Sequence, residues 1–155
     1  MTDINVDDFF KDVARTLVAL YSVFPRRHGV FVDDIHAAEE PDEFGLYSDR
    51  YQACFGALVW LGDEGYLRYE DTISGEAIDQ AVLTGRCFTV LSSPTEPLVG
   101  VVGVDGSGAE NEGALPDAVR LEHATHIHQI KLALKHRSST ELRQAMIAVM
   151  AKMSL

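Results

Sequence analysis

Three histidines, His123, His126 and His128, stand close enough in sequence to invite a metal-site reading. A helix turns about 100° per residue, so His123 and His126 would lie about 60° apart and His128 about 140° from His123. A helix therefore offers one ion at most two of the three. In an extended segment only His126 and His128 share a side. No nearby cysteine or carboxylate is spaced to complete a tetrahedral set. No metal and no cofactor are expected, and the histidines read as exposed or capping residues. Nucleophile chemistry has no better footing, because Gly-x-Ser-x-Gly, His-Glu-x-x-His and Cys-x-x-Cys are all missing from the sequence. Gly106-Ser107-Gly108 lacks the lysine of a phosphate-cradling loop. Asp33-Asp34 and Glu39-Glu40 are adjacent pairs whose side chains diverge. The sequence names no catalytic residue, and an enzyme is not expected.

The remaining chemistry is base reading. Arg50, Tyr51 and Gln52 open an apolar-periodic run that starts after Ser48. Arginine can bond a guanine edge and glutamine an adenine edge. Arg26, Arg27 and Arg68 would then serve phosphates. Charge opposes this. The chain carries −11 overall. Residues 1–92 hold seventeen acidic and seven basic side chains, a net of −10, and residues 93–155 hold seven and six, a net of −1. The acid load thus falls on the part that would meet DNA, where it repels phosphates and leaves little counterion release.

The elements that must position these residues follow from periodicity and punctuation. Asn5 is a candidate N-cap for a helix through Phe9, Phe10, Val13, Leu17, Leu20, Tyr21 and Phe24, ended by Pro25. Val30 to Val32 reads as a short strand, with Asp33 capping a short helix to Ala38. Glu39 to Gly45 is an acidic loop. Ser48 then caps a helix whose apolar face is Tyr51, Cys54, Phe55, Leu58, Val59 and Leu61. Leu67 to Tyr69 and Ile78 to Leu83 are paired strands around a polar tip, Glu70 to Glu76, that contains Ser74-Gly75. Thr84 caps the next helix, and Pro94 closes it.

Three stretches carry a family likeness: Val30 to Ile35 (VFVDDI), Val59 to Tyr66 (VWLGDEGY) and Val82 to Leu91 (VLTGRCFTVL). On these, residues 6–92 resemble the winged helix-turn-helix domains of a bacterial family of unknown function. The resemblance implies an architecture and no particular activity. The expected fold class is α+β: a winged-helix domain over residues 5–92, a flexible Gly/Pro-rich linker over 93–118, and a C-terminal helical segment over 119–155. Gly100 and Gly103 weaken Val99 to Val104 as an edge strand.

The C-terminal segment reads as one helix over 117–136 and a second from Ser138, where Ser138 and Glu141 have capping-box spacing. Leu142, Ala145, Met146, Val149, Met150 and Met153 form an apolar stripe, expected to be the seam of a homodimer. No run reaches the roughly 18 apolar residues of a membrane span. The acidic start lacks the basic region of a secretory signal. Cys54 and Cys87 read as buried reduced thiols, so a cytoplasmic home is expected. The first functional expectation is a self-associating winged-helix protein that acts through protein contacts. The alternative is a sequence-specific transcriptional regulator using Arg50, Tyr51 and Gln52 on bases.

Overall fold

Val13, Ala14, Leu17 and Leu20 have almost no exposed surface, and they line one side of the first helix, α1 (Ile4–Val23). Other elements pack around that line. A computed structural model describes residues 3–95 and 123–155 of the chain. Those residues form an α+β fold of six helices and a small antiparallel sheet. After α1 come β1 (His28–Phe31), α2 (Val32–Ile35), α3 (Asp49–Asp63), β2 (Leu67–Arg68), β3 (Asp71–Ile73), β4 (Ala77–Leu83) and α4 (Gly85–Ser92). The second described stretch holds α5 (His126–His136) and α6 (Ser139–Met153). The first helix starts one residue before the expected cap. Asp3 takes the N-cap position, and Asn5 lies in the first turn.

β4 is the strand on which the others meet. β1 pairs it through Val30–Ile78 and Phe31–Ala77, β2 through Leu67–Leu83, and β3 through Ile73–Ala77. The expected polar tip from Glu70 to Glu76 is therefore shorter than the sequence suggests. Asp71 to Ile73 continue in the register of β2, and three residues, Ser74, Gly75 and Glu76, reverse the chain, the first two at positive φ (50° and 70°). Gln80 also takes a left-handed backbone (φ 55°), where the β1–β4 register shifts by a bulge.

Helix starts follow their caps. Ser48 accepts from the Tyr51 N–H at 3.2 Å, Thr84 from the Cys87 N–H at 3.1 Å, and Ser138 from the Glu141 N–H at 3.1 Å. The α5 helix departs from expectation. It begins at His126 because Thr125 is extended and caps it. Pro94 bridges Thr125, the Thr95 N–H donates to the Ala124 carbonyl at 2.7 Å, and the His126 N–H donates to the Ser93 carbonyl at 3.1 Å. Residues 117–122 of the helix expected over 117–136, the strand at Val99 to Val104 and most of the 93–118 linker lie outside the described residues.

The last two helices join the same core. α5 and α6 pack on α1 and α4. Arg143 donates to Asp7 Oδ1 at 3.0 Å and lies over the Phe10 ring, fixing α6 to α1. The stripe expected to be a dimer seam packs here against α1, α4 and α5. Leu142, Met146, Val149 and Met153 are buried within the chain's own core, and Ala145 and Met150 are half-buried. The stripe has its partner in α1 and α4, so it is not free to meet a second copy. No helix among the described residues is long and apolar enough to cross a membrane.

Truncating Leu142 or Met146 to alanine is expected to cost about 2–4 kcal/mol through lost burial and a residual cavity. Urea unfolding should show this loss with a midpoint independent of protein concentration. A midpoint that rises with concentration would return the stripe to an intermolecular seam.

Candidate functional site

The α3 helix is where the base-reading residues were expected, and its first turn is firmly built. Glu39 receives both the Ser48 N–H (2.8 Å) and the Ser48 hydroxyl (2.7 Å). Those two hydrogen bonds hold the Glu39 carboxyl below the usual carboxylate range. Ser48 in turn caps the helix.

Arg50 then turns inward. Its two terminal nitrogens donate to Asp12 at 2.7 and 2.9 Å, and Nε lies 3.2 Å from Asp8 Oδ2. Asp12 is 1% exposed, so the carboxylate is stable there only with a hydrogen-bonded counter-charge. The fork geometry of a guanidinium supplies one. Burial of a carboxylate on α1 thus dictates the direction of the only cation on α3. In the sequence Asp12 sits between Phe9, Val13 and Thr16 on the apolar face of α1, which marks a carboxylate to be buried but not the cation that reaches it.

Tyr51 is also withdrawn. It is buried and stacks on Tyr47 with ring centroids 3.9 Å apart. Gln52 is on the surface, but its amide donates to the Tyr47 carbonyl at 2.8 Å. The outward face of α3 therefore presents Asp49, Gln52, Ala53, Gly56, Asp63 and Glu64. Carboxylates and small residues are a poor surface for base edges. Arg26, Arg27 and Arg68 remain exposed. Arg27 lies 3.6 Å from Glu70 and donates to the Gln80 carbonyl at 3.3 Å. The six residues expected to touch DNA are not brought together on one face.

The histidines separate as well. Because the chain reverses at Thr125, His123 and His128 stack with centroids 4.5 Å apart. The helical spacing had put them on different sides. His126 is not exposed, as it was expected to be; it is 2% exposed, and its Nε2 has no hydrogen-bond partner among the described residues. Burial, with Lys152 nearby, holds its imidazole below the usual value. Lys152 itself donates to the Pro94 carbonyl at 2.9 Å. His126 lines a groove of about 590 Å³ between α5 and α6, together with Thr95, Gln129, Gln144 and Ala148. His136 and Glu141 close its far end as a 3.0 Å pair. Among the described residues, no three His, Cys, Asp or Glu side chains converge as metal ligands. Cys54 and Cys87 are free and buried, and burial pushes both thiols up to about 12. Neither is a ready thiolate near neutral pH.

No protein-family model matches the sequence, and comparisons with curated proteins and with solved structures find no significant match. The geometry above is therefore the basis for a functional reading.

Two measurements check it. Asp12→Ala is expected to lose about 3 kcal/mol, because Arg50 is left half-buried without its main partner. An apolar pair, Asp12→Leu with Arg50→Met, should recover most of that loss in urea unfolding. For His126, the unfolded imidazole takes up a proton near pH 6.5 and the folded one only at lower pH. Its stabilising contribution is therefore complete above about pH 7 and declines as pH falls below about 6.5. His126→Leu should flatten the stability profile between those conditions. An unchanged slope would assign the acid sensitivity to other groups.

Proposed function

We propose that residues 5–92 are a winged helix-turn-helix domain acting through protein contacts. The element order supports the architecture: helix, strand, two helices, then a hairpin joined by the first strand. In that reading α3 is the recognition-position helix and the β3–β4 hairpin is the wing.

One observation carries the functional half. Arg50, the only lysine or arginine of α3, is held by Asp12 and Asp8 instead of facing outward. The wing compounds this, since Glu70, Asp71, Glu76 and Asp79 surround it without a lysine. A helix and wing of this sign repel a phosphate backbone at the distance where a reader must make contact. A charge of −11 leaves protein surfaces of opposite sign as the natural partners.

The reading is tested with a randomised duplex titrated against the protein at about 50 mM salt. DNA-binding domains hold non-specific duplex with a Kd of about 1–100 µM at physiological salt, and more tightly as salt falls. This protein is expected to give no anisotropy change at tens of micromolar. Binding that weakens steeply with added salt would instead support a transcriptional regulator.

A further inference from the structure

We propose that the face formed by β1, the β3–β4 hairpin and the α2–α3 loop docks a cationic peptide segment of a partner protein through apolar anchors. This rests on the protein-contact reading above and names its surface and the chemistry of its partner.

The sheet register builds the first half of the face. Phe31 and Ile73 both pair with Ala77, from opposite sides of β4. Directly paired residues project to the same side of a sheet. Phe31 (42% exposed) and Ile73 (37%) therefore flank the buried Ala77 as one apolar row. The next row, Val30 and Ile78, faces the core. Among the described residues, both large side chains of this outward row keep more than a third of their surface in solvent.

The α2–α3 loop supplies the second half. Phe44 (79%) and Leu46 (60%) are more exposed still. They are not on a loose loop. Asp42 Oδ1 accepts from both the Phe44 and Leu46 N–H at 2.9 Å, and the Asp42 N–H donates to the Leu46 carbonyl at 2.8 Å. Gly45 takes the left-handed conformation (φ 79°) that closes the turn. A turn ordered by its own backbone thus holds two large apolar side chains in solvent. The loop is tied to the hairpin, because the Tyr47 hydroxyl donates to Glu76 Oε1 at 2.8 Å. The start of α2 is tied there too, through the Val32 N–H to the Glu76 carbonyl at 2.9 Å.

Charge selects the occupant. Residues 28–49 and 69–85 contain eleven acidic side chains and no lysine or arginine, and the two arginines that reach them from outside, Arg15 at the Ile35 carbonyl and Arg27 at Glu70 and the Gln80 carbonyl, leave the balance strongly acidic. Four of the seven large hydrophobics exposed among the described residues fall in these two stretches. Exposed apolar groups set among charges mostly of one sign mark a contact surface. That charge repels nucleic acid, anionic lipid and further copies of this chain. It attracts lysine- and arginine-rich peptide, whose apolar side chains would cover Phe31, Ile73, Phe44 and Leu46.

The probe is a synthetic twelve-residue peptide of lysine and leucine, compared with oligolysine of equal charge and with a glutamate–leucine peptide of the same pattern. Binding is read by anisotropy and by amide shift changes in the full chain. The lysine–leucine peptide is expected to bind at least tenfold more tightly than either control, with shift changes at Phe31, Phe44, Leu46 and Ile73. Phe44→Ser with Leu46→Ser should weaken it tenfold and leave the circular dichroism spectrum unchanged, since both side chains lie in solvent. Equal binding of oligolysine, indifference to the double variant, or shift changes confined to other faces would overturn the proposal. Failure here with no duplex binding would leave the protein-contact reading standing. Binding to duplex would remove that reading itself.

Discussion

A carboxylate with 1% exposure, Asp12, governs this structure more than any other single group. Placing it on the buried face of α1 obliges some cation to come to it, and α3 supplies Arg50 in a bidentate bond. The pair joins the two helices at a defined register, which apolar contacts between Leu17, Leu58 and Leu61 alone would not specify as sharply. It also settles the outward character of α3. Once Arg50 faces α1, the outward face of α3 is left to Asp49, Gln52, Ala53, Gly56, Asp63 and Glu64. Stability and surface chemistry are therefore set by the same bond.

α1 also determines how the C-terminal helices are used. Its apolar surface is wider than one helix can cover, because Phe10, Val13, Leu17 and Leu20 are joined by half-buried Val6, Phe9, Val18 and Tyr21. α3 and β4 cover part of it, and α5 and α6 cover more. The methionine-rich stripe of α6 fits this irregular wall through flexible side chains, an intramolecular use of the same adaptability that suits methionine to interfaces. Ile147, which lies off the stripe, is half-exposed.

Much of the fold was legible in the sequence, and the readable parts are those fixed locally. Ser48, Thr84 and Ser138 cap helices because a hydroxyl and an N–H three residues on need nothing else. The Ser138 box is only half formed, since Glu141 turns to His136 instead of back to the cap. What could not be read depends on partners far away in the chain. The direction of Arg50 is decided 38 residues earlier, at Asp12. The start of α5 is decided at Ser93 to Thr95, whose backbone takes up the N–H of His126 and the carbonyl of Ala124. β3 was hidden because Asp71, Thr72 and Ile73 carry little apolar alternation, and register with β4 makes them a strand. The candidate site suffered most. Residue type identified Arg50, Tyr51 and Gln52 as able to read bases, but type says nothing about whether a side chain is already engaged.

The distribution of charge then has a physical logic of its own. Large apolar side chains in solvent favour self-adhesion, and a protein that displays Phe44 and Leu46 needs some means of keeping its copies apart. Like charge is such a means. At −11, with the acids concentrated around the exposed apolar groups, approach of a second copy is opposed before those groups can touch. The same field lowers the barrier for a partner of opposite sign. Selectivity of this kind requires that no lysine or arginine interrupt the acidic stretches, and between Arg27 and Arg50, and again between Arg68 and Arg86, none does. Arg50 would be the nearest exception on α3, and Asp12 draws it inward, so the bond that organises the core also preserves the sign of the surface.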